Sequence, residues 1–141
     1  MTNRFAAILF GLCINCTSLV YAENTQNFSQ LLSQNVSVSG QMTTAKFDQL
    51  MHQGFKSVIV NRPDEEAGNQ VSISQLRTIA ERSHVSVIYQ PVDSGKVSQS
   101  DVAEFAKYYN HLPKPILLVC KSGSRSTALF NQAKSQGLLN E

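Results

Sequence analysis

The chain has 141 residues, of which 42% are hydrophobic and 16% charged, with 12 Lys and Arg against 10 Asp and Glu. A formal charge of +2 gives no argument for a nucleic-acid partner or for an anionic membrane surface. The length suits one domain with a modest core, and no repeat or low-complexity run divides it.

The N-terminus reads as an export signal. Arg4 is the only charge in residues 1–22, an apolar segment runs from Phe5 to Val20, and "VYA" ends at Ala22 with small residues where a signal peptidase reads. The segment is short for a membrane span and no second span follows, so a cleaved signal is expected rather than an anchor. Cleavage after Ala22 would leave a periplasmic or secreted protein with no stable membrane association. It would also remove Arg4, one of the 12 basic residues, leaving 11 against 10 acidic ones. Cys13 and Cys16 form a CxxC inside the signal and would be lost with it, so Cys120 would remain the only thiol.

Residues 23–35 are polar and unpatterned and are expected to form a loosely packed leader, with the folded domain spanning 36–141. From Val36 the chain alternates elements. "VSVSGQ" alternates as a short strand does, and "TTAKFDQLMHQG" sets Phe47, Leu50 and Met51 at helical spacing between Thr43 or Thr44 as cap and Gly54 as stop. "FKSVIVNRP" is a β-branched run closed by Pro63. "VSISQLRTIAERSH" carries Val71, Leu76, Ile79 and Ala80 on one helical face, with Ser72 or Ser74 as cap. "VSVIYQPV" is the third strand of the series, and "SQSDVAEFAKYYNHLP" is an amphipathic helix stopped by Pro113. "PILLVC" and "SRSTALFNQAKSQG" complete the order βαβαβαβα. Alternating strands and helices imply an α/β three-layer sandwich: a mostly parallel sheet of about four to five strands with helices on both faces. Ligands in such folds bind at the carboxyl ends of the strands, where Cys120 falls.

The loop "CKSGSRS" joins that last strand to the N-terminus of a helix. Unpaired N–H groups and the helix dipole there favour negative charge. Gly123 permits a positive φ, so successive N–H groups can curl into an anion nest that stabilises a thiolate. Arg125 can return over the nest with its planar fork, and Ser126 can hydrogen-bond the sulfur. Lys121, Ser122 and Ser124 add charge and donors. The combination describes Cys120 as a nucleophile in an oxyanion cradle acting on a small anionic substrate, with no cofactor. His52, His84 and His111 are isolated and have no metal-ligand spacing, so no metal is expected.

Cys120-x-x-Gly123-x-Arg125-Ser126 resembles the active loops of protein tyrosine and dual-specificity phosphatases and of rhodanese sulfurtransferases. With "VSVSGQMT", "GFKSVIVNRPDEE" and "YQPV" in this order, the chain resembles the bacterial beta-lactamase-hydrolase-like protein, phosphatase-like domain family, also labelled a candidate sulfur transferase. The resemblance covers roughly Val36 to Phe130. It implies a phosphatase-like fold and a thiophosphate intermediate on Cys120. It also implies a general acid on the loop after the preceding strand, where Asp93 stands; Asp64, with Glu65 and Glu66, follows another strand end and is the second candidate. Phosphatases of this fold usually set His before the cysteine and one more residue in the loop. Here Val119 precedes Cys120 and four residues separate it from Arg125, which is closer to the sulfurtransferase pattern. A Cys120 persulfide exchanged with a sulfur-donor molecule is therefore the alternative chemistry, and a non-catalytic anion- or partner-binding domain is the third reading.

Overall fold

In a computed structural model, which describes Gly11 and residues 26–141, the domain is a five-stranded sheet with two helices on each face. Apart from Gly11, the proposed signal segment, with both of its cysteines, lies outside the described residues. No helix among the described residues is long and apolar enough to cross a membrane.

Strands β1 (Gln30–Ser33), β2 (Val36–Ser39), β3 (Ser57–Val60), β4 (Ser86–Tyr89) and β5 (Ile116–Val119) lie in the order β1-β2-β5-β3-β4. Every pairing is parallel except β1 with β2. The leader expected to pack loosely thus contributes an antiparallel edge strand, tied down where Ser39 Oγ donates to Phe28 O at 2.7 Å. That strand alternates weakly and exposes Leu31, so little in its sequence signals it.

Helices α1 (Thr44–Met51) and α2 (Ile73–Glu81) cover one face, while α3 (Gln99–His111) and α4 (Ser124–Ser135) cover the other. The two-residue period of a strand divides β5 between them. Leu117 and Val119 join Phe47, Leu50 and Leu76 in one core, and Ile116 and Leu118 join Phe105, Tyr109 and Phe130 in the other. Because both faces are covered, β2, β3 and β5 are buried along their whole length, which explains their continuous apolar or small residues.

Three helices start on side-chain caps. Thr43 Oγ1 accepts from Lys46 N, and Ser72 and Ser98 form capping boxes with Gln75 and Asp101. Helix α4 is different: its N-cap is Gly123, at φ 88°, with no side-chain cap. The N–H groups of its first turn have no intrahelical partner and open onto the end of β5.

Candidate active site

Four strand ends converge at the loop after β5. Cys120 is buried, its N–H donates to Ser39 O at 3.2 Å, and the Gly123 N–H donates to its Sγ at 3.0 Å. The left-handed conformation of Gly123 turns the chain so that this N–H meets the sulfur. A second glycine matters for a different reason. A Cβ on Gly40 would sit 3.0 Å from Lys121 O and 3.2 Å from Ser122 Cα, so any side chain at the end of β2 would push the loop away.

Ser126 does not serve the sulfur as the sequence suggested. It is fully buried, and its Oγ donates to Asn61 Oδ1 at 2.8 Å. Asn61, just past β3, is the joint of the site. Its Nδ2 donates to Gln90 O at 3.1 Å, its N–H to Val119 O at 2.8 Å, and its carbonyl accepts from Arg125 Nη1 at 3.3 Å. The sulfur's own donor is the Gly123 amide.

Arg125 is 7% exposed and held from behind. Nη1 also donates to Val92 O at 2.7 Å, and Nη2 pairs with Glu66 Oε1 at 2.7 Å. Its Nε–H is buried with no partner. Glu66 uses its other oxygen on Arg62 Nε, also at 2.7 Å, and Arg62 is fixed in turn by Gln41 Oε1 at 2.6 Å and Ala67 O at 3.0 Å. One carboxylate therefore bridges two buried guanidinium groups. Burial works to raise the Glu66 pKa, but the hydrogen bonds and charges of Arg125 and then Arg62 outweigh it and hold the carboxyl below its ordinary value.

Cys120 and Arg125 line an open cleft of about 330 Å³, together with Lys121, Ser122 and Ser124 of the same loop. The turn Ser94–Val97 and Ala128 and Gln132 of α4 complete the lining. Asp93 is exposed and immediately precedes that turn without lining the cleft. Asp64 is further removed in role: its Oδ1 accepts from Ile73 N at 2.8 Å, fastening the loop to the start of α2. Glu65 is exposed. The histidines are exposed, and His52 and His111 turn their rings onto carbonyls of their own helices.

Of the residues singled out in the sequence, the structure brings Cys120, Gly123 and Arg125 together in one loop, and it pairs Arg62 with Glu66. Sequence reasoning missed Asn61 and Glu66 as partners of Arg125, which lie 64 and 59 positions away in the chain. Their one signal was a polar "NRPDEE" run directly after a buried strand, at the sheet end where ligands bind.

A family model described as "Beta-lactamase hydrolase-like protein, phosphatase-like domain" matches residues 28–137. The beta-lactamase hydrolase-like protein of Agrobacterium fabrum is 28% identical over 99 residues, covering 70% of this chain and 23% of that protein. The chain therefore spans about a quarter of the length of that curated relative. Among solved structures, a candidate phosphatase from Neisseria meningitidis superposes with a TM-score of 0.69 at 28% identity, over 76% of each chain. Tk-PTP in its active form superposes at 0.60 with 19% identity, over 79% of this chain and 76% of its own, a likeness of fold.

Proposed function

The chain belongs to the beta-lactamase hydrolase-like, phosphatase-like domain family, and on that premise we propose that it is a cysteine-dependent phosphatase acting through Cys120. The observation that carries the proposal is the unpartnered, buried Nε–H of Arg125 beside Cys120 in one cleft. A guanidinium held by Glu66, Val92 and Asn61 that still has one N–H donor without an acceptor is prepared for a tetrahedral oxyanion. Holding it there in advance removes the cost of ordering it when the substrate arrives.

In this mechanism the Cys120 thiolate attacks phosphorus as the ester P–O bond breaks. The Arg125 edge and the N–H groups opening α4 hold the non-bridging oxygens, and the leaving oxygen takes a proton. Water then cleaves the S–P bond, releasing phosphate and restoring the thiol. Asp93 is the proposed acid, because it adjoins the cleft wall while the Asp64 carboxylate is engaged at α2. Asp93→Asn is expected to slow phenyl phosphate hydrolysis about 10²-fold and p-nitrophenyl phosphate, with its better leaving group, much less. Equal rates for Asp93→Asn and wild type on both esters would remove Asp93 from the role.

Sulfur transfer is the second reading, favoured by the four-residue spacing between Cys120 and Arg125 and by a cleft lining with no carboxylate among the described residues. A persulfide on Cys120 needs no general acid. Parallel assays of p-nitrophenyl phosphate hydrolysis and of thiocyanate formation from thiosulfate and cyanide decide between them. Phosphate release supports the proposal, and thiocyanate formation without phosphate release overturns it.

Export is part of the proposal and rests on the sequence of residues 1–22. Expression of the full chain in a Gram-negative host is expected to yield a periplasmic protein beginning at Glu23. An intact N-terminus in the cytoplasmic fraction would refute export.

A further inference from the structure

The cleft is lined by cations besides the Arg125 that the proposed mechanism sets on the phosphoryl group. Lys96, on the turn between β4 and α3, and Lys121, in the Cys120 loop, both line it, both are exposed, and neither forms an ion pair among the described residues. Arg125, which also lines the cleft, shares the single carboxylate of Glu66 with Arg62. Among the described residues no aromatic side chain lines the walls, whose apolar part comes from Val97 and Ala128. A cleft that grips an aryl phosphate does so by covering the ring's apolar faces, and this one offers salt-bridge donors and hydroxyl groups instead.

We propose that the substrate is a small molecule carrying a second anionic group beside the reacting phosphoryl, and that Lys96 receives that second group. The assignment rests on the phosphatase reading of Cys120 and adds its substrate class: a diphosphate or a phosphorylated carboxylate rather than a phosphotyrosine side chain. Lys96 lines the same cleft as Arg125 and Cys120, so an anion bound at Arg125 shares that cleft with the Lys96 side chain. As a flexible point charge at the rim, Lys96 suits a variable second group, whereas the fixed Arg125 suits the invariant phosphoryl.

Two arms test this. In the first, 3-carboxyphenyl phosphate and phenyl phosphate are compared as substrates of wild type and Lys96→Ala. The wild type is expected to prefer the carboxylated ester, and the variant to lose about five- to tenfold in kcat/KM on it, while staying within about twofold on phenyl phosphate. Equal losses on both esters, or no preference in the wild type, would overturn the assignment. In the second, pyrophosphate and phosphate binding are measured by calorimetry in the Cys120→Ser background, where a diphosphate is bound without being hydrolysed. Tighter binding of pyrophosphate that disappears in Lys96→Ala supports the subsite, and equal affinities overturn it. Hydrolysis of both esters without a carboxylate preference defeats the subsite alone. A missing phosphatase activity with intact pyrophosphate selectivity defeats the phosphatase reading alone.

Discussion

Cys120→Ser is expected to lower p-nitrophenyl phosphate turnover by at least about 10⁴-fold while leaving the fold intact. The substitution replaces sulfur by a smaller oxygen in a buried position where the Gly123 N–H already supplies a hydrogen bond, so the loop keeps its donor and its shape. What is lost is the nucleophile. A serine hydroxyl needs a base to remove its proton, and no histidine or carboxylate lines the cleft among the described residues. The variant should therefore still bind phosphate, because Arg125 and the N–H groups of α4 are untouched. Steady-state hydrolysis and phosphate binding, measured on the same preparation, check both halves. Full activity in Cys120→Ser would assign the chemistry to another group, and lost binding would mean that the loop had collapsed.

The second large effect concerns Glu66. Removing its carboxylate leaves two buried guanidinium groups, 4% and 6% exposed at their side chains, without the anion they share. Breaking a buried ion pair on one side commonly costs about 3–5 kcal/mol, and the 16% exposure of Glu66 moves the expectation to about 2–3 kcal/mol. In a domain of this size that is a fall of roughly 10 °C in Tm for Glu66→Ala. Activity should fall as well, because Arg125 would be free to leave the geometry that keeps its Nε–H without an acceptor. Glu66→Gln, which keeps a hydrogen-bond acceptor, is expected to lie between the two. The same carboxylate makes stability depend on acid. Its pKa is depressed in the folded state, so its contribution is complete above the ordinary carboxyl value of 4.5 and is lost as pH falls through the lower folded value. Melting curves across that acid range should be flatter for Glu66→Gln than for wild type. Identical melting of Glu66→Ala and wild type would show that the bridge does not hold the site.

The residues that were legible in the sequence are those whose roles are local. Ser72, one of two caps the sequence offers for α2, does start that helix, because a cap needs only its next three residues; in the structure it and Ser98 form capping boxes. "ILLV" before Cys120 announces a strand buried on both faces, and β5 is central in the sheet. Gly123 and Arg125 are readable because anion cradles are built from consecutive N–H groups and one returning cation. The roles that were not legible depend on distant partners. Ser126 lies six positions from Cys120 and 65 from Asn61, yet it serves Asn61, and only the sheet order that sets β3 beside β5 explains why. Glu66 could be seen as one of an acidic run, but not as the one that reaches Arg125. The edge strand β1 was hidden because its two leucines are adjacent rather than alternating and the strand is partly exposed, and its stability comes from pairing with β2 rather than from its own pattern.

The central claim, that Cys120 takes the phosphoryl group onto its sulfur, is open to one direct measurement. Acid quenching during turnover of p-nitrophenyl phosphate, followed by mass analysis of the peptide containing Cys120, should reveal an adduct of about 80 Da that is absent from Cys120→Ser. An unmodified Cys120 peptide during active turnover, or an adduct of about 32 Da that forms only with thiosulfate, would contradict it.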